Sequence, residues 1–509
     1  MKSLLRFERL TQRSFVLWCL VLIALAVPAL ADVTVPAVLS DGMVLQRDLP
    51  VHFWGMANAK ERITVAFRDE EKSTVADEIG HWNIYLKAQP AGGPFEAVIR
   101  GANTIVIRDI LVGDVWVASG QSNMEWPLIK AANGPAEVAN ANCPNIRLFE
   151  VIKKYADTSQ EDVASKGWRA CSPESARDFS AIAYYFARET QSSQGVPVGV
   201  IGSYWGGTIA EAWTSLAALA SEPALNPVML SYALRMEQQP DWARRAKLES
   251  VLIEAAKAKG APWPKVPWRP DLHIWQPSAL FNAMIAPLTP FPIRGVIWYQ
   301  GESNSKLDRY PQLYGRVFET LIRDWRRRWA IGDFPFLYVQ LANYTSTPEE
   351  DWPTVREGQR SALALRNTGM AVTVDVGNPD DVHPLDKKTV GHRLALAARA
   401  ITYGEKLEFS GPLFSQITRE PNALRVTFDH AKGLRNTSEG VIGFEIAGQD
   451  GKFFPADARI EGPSVIVSSY AVAEPISVRY GWANNAQCNL ANQEGLPASP
   501  FVAELELLH

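Results

Sequence analysis

The sequence has little cysteine and no excess of positive charge, and each shortage excludes a class of protein. Only 4 of the 509 residues are cysteine, and no CxxC or Cys/His spacing suggests a zinc site. The formal net charge of −4 at pH 7 excludes a nucleic-acid-binding protein held by a broad basic surface. No internal repeat or low-complexity tract occurs. With 47% hydrophobic and 21% charged residues, the chain has the composition of a globular protein with a large core.

Long apolar runs are scarce beyond the amino terminus. Basic residues there precede an apolar run at 15–27, and residues 29–31 offer an A-x-A cleavage site. The run is short for a bilayer span and no stop-transfer pattern follows it, so residues 1–31 are predicted to be a cleaved signal peptide, with an uncleaved anchor as the alternative. We therefore expect a secreted or periplasmic protein without a membrane segment after cleavage.

Cleavage would leave an odd number of cysteines. Cys19 departs with residues 1–31, and Cys143, Cys171 and Cys488 remain. Three cysteines allow at most one disulfide within the chain. A Cys143–Cys171 pair is one option, and the sequence leaves the pairing open.

Three regions follow the predicted signal peptide. Short β-like runs between Gly, Pro, Asn and charged turns predict a small β-sandwich-like region over 32–110. From 111 to 407 strands alternate with helices, interrupted at 221–278 by a stretch rich in Pro, Trp and charge that resembles an insertion. Strand signals without helices return over 408–509, which predicts a second β region.

The middle region predicts an α/β fold. Five buried strands are expected, each followed by a helix or a helix-starting loop: 111–118, 196–202, 294–300, 335–341 and 370–376. Such alternation is typical of a doubly wound, mainly parallel sheet with helices on both faces.

The end of the first strand carries Ser122. The sequence 120–124, GQSNM, is not the GxSxG elbow of α/β-hydrolases, because Met124 stands where the second glycine should be. Taken alone, Ser122 could be an ordinary helix cap. Other strand ends carry polar groups as well, and the carboxyl ends of parallel strands share one edge. We therefore expect the loops at 206–207, 300–304 and 375–384 to converge on Ser122.

Those loops supply the parts of an acyl-transfer site. His383 is the candidate base for Ser122, and Asp380, three residues upstream, is the candidate carboxylate that orients the imidazole. Asp381 is the alternative to Asp380, because either carboxylate could turn toward the ring.

Donors for the oxyanion of the tetrahedral intermediate are expected from three places. They are the backbone N–H of Ser122, that of Gly206 or Gly207, and a side-chain amide of Gln300 or Asn304. Glu302 is interpreted as a brace for the Gln300 loop rather than as an acid or base. Candidate sugar-stacking residues are Trp126, Trp205 and Trp298.

Three other functions fit the sequence less well. The first is a divalent-metal cluster formed by Asp375, Asp380, Asp381, His383 and Asp386. It would leave Ser122 and the amide donors without a role. A glycoside hydrolase would need two opposed carboxylates, for which Glu302 with Asp380 is a poor pair. A non-catalytic carbohydrate-binding protein is disfavoured by the intact Ser/Asp/His set.

With these motifs identified, the chain resembles the sialate O-acetylesterase family of the SGNH hydrolase superfamily. The resemblance extends over nearly all of the chain after residue 31. It is carried by 41–46 (DGMVLQ), 113–116 (GDVW), 120–124 (GQSNM), 205–208 (WGGT), 298–304 (WYQGESN), 380–384 (DDVHP), 480–483 (YGWA), 489–490 (NL) and 494–501 (EGLPASPF).

The resemblance implies an SGNH-type sheet and a carbohydrate acetylesterase that needs no metal or cofactor. It makes Ser122 the nucleophile, with Gln121 beside it in a supporting position, and makes Asp380 and His383 the DxxH pair. The stretch 298–304 (WYQGESN) departs from the GxND motif that is usual in the superfamily. Of its two side-chain amides, we favour Gln300 as the oxyanion donor.

The implied partner is an O-acetylated glycan. Family members act on acetylated sialic acids, and relatives deacetylate xylan and xyloglucan. The predicted export, the abundant aromatic residues and the 221–278 insertion favour an extended plant cell-wall glycan, with sialate 9-O-acetyl esters as the alternative. The sequence does not indicate an oligomeric state.

Overall fold

The computed structural model describes residues 32–262 and 271–505. The predicted signal peptide at 1–31 lies outside the described residues. Within the described ranges, no helix combines the length and apolar character needed to cross a bilayer.

The chain divides into two compact units. The smaller unit comprises residues 32–35, Phe53–Ile84 and Ala97–Val106, and the larger comprises Pro36–His52, Tyr85–Glu96 and residues 107–505. This division does not coincide with the expected boundaries at 110 and 407. Residues 44–46 belong to the larger unit because they pair in parallel with residues 111–113 of its central strand.

Alternating apolar residues form the strands of the amino-terminal region. In His81–Leu86, every second side chain is buried, as expected for a strand with one face toward a core. The strands are β1 (Val44–Gln46), β2 (Val51–Met56), β3 (Arg62–Phe67), β4 (Glu70–Val75), β5 (His81–Leu86) and β6 (Gly92–Arg100). β3 pairs antiparallel with β4 and with residues 97–100 of β6.

The larger unit is built on a mainly parallel sheet, which confirms the α/β class. Its strands are β7 (Thr104–Gly120), β8 (Cys143–Val151), β9 (Ser165–Cys171), β10 (Val198–Tyr204), β11 (Gly295–Tyr299), β12 (Phe336–Val339) and β13 (Thr368–Ala371). Their order is β13-β12-β11-β7-β10-β8-β9, and every neighbouring pair is parallel except β8–β9. All five expected strands have a counterpart in the sheet, although β13 ends at Ala371, five residues before the expected end at 376.

β8 and β9 extend that sheet beyond the five expected strands. β9 is a weak pattern in the sequence because, of its seven residues, only Trp168 and Cys171 are buried. Cys143 lies opposite Cys171 in the β8–β9 register. Both thiols are free, as is Cys488.

The helices flank or follow these strands. They are α1 (Ser122–Glu125), α2 (Gly134–Ala139), α3 (Pro173–Arg177), α4 (Ala181–Gln194), α5 (Leu216–Ala220), α6 (Asn226–Ala258), α7 (Tyr314–Trp329), α8 (Trp352–Ser361) and α9 (Lys387–Ala397). The expected insertion is mostly the long helix α6, whose side chains are largely exposed. Residues 263–270 of the expected insertion lie outside the described part of the chain.

The carboxyl-terminal region forms β-sheets, as its strand signals predicted. Its strands are β14 (Leu413–Glu420), β15 (Ala423–Asp429), β16 (Arg435–Asn436), β17 (Phe444–Ala447), β18 (Phe453–Pro455), β19 (Asp457–Glu461), β20 (Ser464–Ser468), β21 (Ser477–Tyr480), β22 (Leu490–Ala491) and β23 (Phe501–Glu504). Two four-stranded antiparallel sheets share one apolar core, as in a sandwich. Hydrogen bonds such as Gln340 Nε2 to Ser499 Oγ (2.9 Å) tie this region to the parallel sheet.

One buried carboxylate stands out in the middle of β7. Asp114 is fully buried and accepts hydrogen bonds from Arg47 Nε at 2.8 Å, Arg294 Nε at 3.0 Å and the Tyr403 hydroxyl at 2.9 Å. We call these four residues the Asp114 cluster. Burial alone would raise the pKa of Asp114, but the two guanidinium groups and the Tyr403 hydroxyl hold it below its usual value.

Candidate active site

Ser122 lies at the carboxyl edge of the parallel sheet, where the sequence placed it. β7 ends at Gly120, and Ser122 is the first residue of α1. Gly120 has a φ of +135°, and a Cβ there would lie 2.1 Å from the Tyr299 carbonyl oxygen. Only glycine therefore lets β7 turn beside β11 and present Ser122.

His383 is in hydrogen-bonding contact with that serine. Its Nε2 lies 2.9 Å from Ser122 Oγ, although the two residues are 261 positions apart in the chain. This distance suits transfer of the hydroxyl proton to the imidazole. The loop that follows β13 brings His383 to this edge, as the convergence of strand ends predicted.

The carboxylate beside the imidazole belongs to Asp381, which corrects the preference for Asp380. Asp381 Oδ1 lies 3.3 Å from His383 Nδ1 and also accepts the His383 backbone N–H at 2.9 Å. Within the described residues, no hydrogen bond or ion pair joins Asp380 to His383. A tight turn, marked by the bridge between Asn378 and Asp381, sets this direction.

The surroundings of His383 favour its neutral form. Burial and the positive charge of Lys387 lower the pKa of His383, and Asp381 opposes them. The Trp126 ring stacks on the imidazole, with centroids 5.0 Å apart and planes 21° apart. A neutral imidazole fixed in this way can accept a proton from Ser122.

The glycines after β10 approach Ser122 closely. A Cβ on Gly206 would lie 3.1 Å from Ser122 Cβ, so this position has room for little beyond glycine. The Gly206 N–H already donates to Glu125 Oε2 at 2.7 Å, and Glu125 in turn pairs with Lys153. In the described part of the chain, the N–H groups of Ser122 and Gly207 have no hydrogen-bond acceptor.

The side-chain amides expected in the oxyanion site are engaged elsewhere. Gln300 is fully buried, and its Nε2 donates to Thr208 O at 3.1 Å and to Asn304 Oδ1 at 2.6 Å. Asn304 Nδ2 donates to Glu211 Oε2 at 2.9 Å. Both amide hydrogens of Gln300 are therefore used, and the expectation that it serves the oxyanion does not fit this geometry.

Gln121 braces the loop after β11, as a supporting residue would. Its Oε1 accepts the backbone N–H groups of Gly301 at 3.4 Å and Ser303 at 3.2 Å. Glu302, in the same loop, is buried, and its Oε1 accepts from Asn123 Nδ2 at 2.6 Å. The loop is thus tied to the residues on both sides of Ser122.

Of the three tryptophans expected to stack on sugar, Trp298 is placed in the core. It has no exposed surface and packs edge-on against Trp213 and Trp325. It lies in β11, a strand that is buried along its whole length. Trp126 and Trp205 are half-buried near Ser122, and Lys153 Nζ lies 5.8 Å from the Trp205 ring centroid.

Two functional candidates were missed in the sequence. Asn123 follows the nucleophile directly, and Lys387 is the first residue of α9; both are buried. Lys387 Nζ donates to Asn123 Oδ1 at 2.5 Å. A lysine in a polar loop-helix junction is ordinarily exposed, so no sequence signal marked its burial.

The carboxylates of the metal alternative have other partners. Asp375 makes a two-pronged ion pair with Arg393, with both distances 2.6 Å. Asp386 caps α9 by accepting from the Thr389 N–H and hydroxyl. Among the described residues, no three His, Cys, Asp or Glu side chains are grouped to hold a metal ion.

Comparison with known proteins gives consistent matches. A family model described as carbohydrate esterase, sialic acid-specific acetylesterase, matches residues 260–400. The sialate O-acetylesterase of Homo sapiens is 30% identical over 521 residues, which cover 91% of this chain and 91% of that protein. That of Rattus norvegicus is 30% identical over 516 residues, covering 91% of this chain and 93% of that protein.

A solved structure extends the similarity to the fold. The crystal structure of a carbohydrate acetylesterase from Xanthomonas citri superposes with a TM-score of 0.80 at 40% sequence identity. The match covers 93% of this chain and 100% of that one.

Proposed function

Because the chain belongs to the sialate O-acetylesterase family and is a carbohydrate acetylesterase, we propose that it works through Ser122 as nucleophile and His383 as base. The observation that carries the proposal is the 2.9 Å contact between Ser122 Oγ and His383 Nε2. Asp381, at 3.3 Å from Nδ1, supports the imidazole from the other side.

The first half-reaction acetylates the enzyme. The Ser122 hydroxyl passes its proton to His383 Nε2 while Oγ forms a bond to the acetyl carbonyl carbon. The tetrahedral intermediate collapses as the bond to the sugar oxygen breaks, and the sugar oxygen takes the proton from His383. Asp381 accepts from Nδ1–H, which fixes the tautomer and stabilises the imidazolium.

The second half-reaction releases acetate. His383 removes a proton from a water molecule, which attacks the acetyl-serine ester. The second tetrahedral intermediate expels Ser122 Oγ, which recovers its proton from His383. The same two side chains therefore serve both steps.

For the oxyanion we propose the backbone N–H groups of Ser122 and Gly207. Both lack an acceptor in the described part of the chain, whereas the Gly206 N–H is held by Glu125. Gly206 contributes by its lack of a side chain, which admits the acyl group beside Ser122. Loss of one such donor typically costs about 10²–10³ in turnover.

We propose an O-acetylated glycan of the plant cell wall, such as xylan or xyloglucan, as substrate. Half-buried Trp126 and Trp205 beside Ser122 could stack on successive sugar rings, which supports an extended chain. Sialate 9-O-acetyl esters are the second candidate, favoured by the named activity of the relatives. We also propose export after removal of residues 1–31.

Acetate release tests this proposal directly. Wild type and Ser122→Ala are incubated with p-nitrophenyl acetate and with acetylated xylan, xyloglucan and sialic acid, in the presence of EDTA. We expect the variant to lose activity by a factor on the order of 10⁶, because the nucleophile is gone. Undiminished turnover by the variant, or loss of wild-type activity with EDTA, would contradict the serine mechanism, and the acetylated panel identifies the substrate.

A further inference from the structure

A buried polar cluster lies beneath the catalytic residues, and the mechanism above does not use it. It consists of Asn123, Glu302 and Lys387, and we call it the Asn123 cluster. Their exposures are 1%, 8% and 0%. Burying a cation, a carboxylate and an amide is unfavourable unless the groups bond to one another.

Asn123 connects the three segments that form the site. Its Nδ2 donates to Glu302 Oε1 at 2.6 Å and to the Val382 carbonyl oxygen at 3.0 Å. Its Oδ1 accepts from Lys387 Nζ at 2.5 Å. Since Asn123 follows Ser122 and Val382 precedes His383, one side chain fixes the two catalytic segments relative to each other.

The charges around this cluster are unevenly balanced. Glu302, Asp381 and Asp386 face Lys387, and its Nζ also lies 5.6 Å from the Trp126 ring centroid. Glu302 Oε2 is buried, with no hydrogen-bond partner in the described residues. Burial lowers the pKa of Lys387 to about 7 and raises that of Glu302.

Charged groups of opposite sign act on His383. The charged groups that face it are Lys387 and Asp381, which act in opposite directions, and its uncharged neighbours are Ser122 and Trp126. Asp381 is half exposed, whereas Lys387 is fully buried. A buried charge is screened less by solvent than an exposed one.

We propose that the Asn123 cluster is a set of positioning residues. Asn123 keeps Ser122 and His383 within hydrogen-bonding distance, and the charge of Lys387 keeps the imidazole unprotonated and ready to accept a proton. This inference rests on the proposed function, because it requires Ser122 and His383 to act as nucleophile and base.

The pH profile separates this role from a purely structural one. In Lys387→Met, loss of the positive charge should raise the pKa of His383, so the acid limb of kcat/KM moves upward by about half a pH unit or more. Activity below that limb falls several-fold and returns toward the wild-type value at higher pH. Lys388→Met is the matched control, because Lys388 is exposed and lies outside the cluster.

A second variant guards against loss of folding. Lys387→Met leaves Glu302 buried without its cation, so the double variant Lys387→Met/Glu302→Gln removes both charges at similar volume. We expect the double variant to keep the shifted acid limb while regaining thermal stability. Folded variants with the wild-type limb would overturn the electrostatic part of the proposal.

Asn123→Ala tests the geometric part. Removing the tie between the two catalytic segments should lower kcat by about 10–10²-fold with little change in KM for p-nitrophenyl acetate. An unchanged kcat in the folded variant would overturn this part. Ser122→Ala separates failure of the proposed function from failure of the positioning role. If Ser122→Ala is inactive while the cluster variants behave as wild type, the positioning inference alone fails.

Discussion

Two buried charged clusters lie along the same strand and its end, and they differ in how completely their charges are matched. In the Asp114 cluster, one carboxylate receives hydrogen bonds from two arginines and a tyrosine. Arg47 and Arg294 are partly exposed, with 21% and 23% of their side-chain surface accessible. The carboxylate is fully satisfied, and part of each cation stays in water.

The Asn123 cluster has the opposite balance. Glu302 and Lys387 are both buried and meet only through the amide of Asn123, and one oxygen of Glu302 has no partner among the described residues. The pKa of Asp114 is lowered in spite of burial, whereas that of Glu302 is raised by it. From this difference we expect the first cluster to contribute mainly to the stability of the sheet and the second, next to His383, to contribute mainly to activity.

Of the variants that remove a charge, the one that breaks the Asp114 cluster should have the largest effect. That effect should be on the free energy of unfolding rather than on activity. Asp114→Asn removes the buried carboxylate that both guanidinium groups contact and leaves them only the exposed Asp48, so we expect a loss of about 3 kcal/mol in the free energy of unfolding. The kcat/KM of the folded variant should stay close to that of wild type. Chemical denaturation together with p-nitrophenyl acetate turnover measures both.

The stability that the Asp114 cluster provides should also depend on pH. Because the pKa of folded Asp114 lies below its usual value, its contribution is present above the unfolded pKa and is lost as pH falls through the folded one. Asp114→Asn should lack this acid-side loss. Asp48→Asn is the matched control, since Asp48 also contacts Arg294 but is 62% exposed. Equal behaviour of the two variants would contradict the assignment.

A smaller effect is expected from the carboxylates of the His383 loop, and it should appear in activity. Asp381→Asn removes the negative charge beside Nδ1 and adds an NH2 donor that can hold the wrong tautomer of His383. We expect kcat/KM to fall about 10²-fold, less than for a buried triad aspartate because Asp381 is 51% exposed. Asp380→Asn should keep most of the activity. A larger loss in Asp380→Asn than in Asp381→Asn would return the assignment to the DxxH spacing.

The sequence predicted the features that depend on strand order. Ser122 and His383 each follow a buried strand, and the carboxyl ends of parallel strands meet at one edge whatever the loop details. Their contact was therefore predictable from apolar runs and turn residues. β9 was missed because an edge strand with few buried residues has no distinctive pattern.

The sequence could not predict which way individual side chains of the site point. Asp380 and Asp381 are equivalent in spacing arguments, and one tight turn decides which of them faces His383. Gln300 lies in the expected loop, but its amide donates to Asn304 of the same loop and to Thr208, which packing brings in from a distant segment. The burial of Lys387 follows from the same packing, and no local rule predicts a buried lysine.

We expect Ser122 to carry the acetyl group during turnover. Wild type is mixed with p-nitrophenyl acetate, quenched in acid within the first turnovers, digested and analysed by mass spectrometry, with Ser122→Ala as control. We predict one acetyl group on the peptide that contains Ser122 and none in the variant. If another residue is acetylated and that acetyl group turns over, or if turnover is rapid without any acetylated peptide, Ser122 is not the nucleophile.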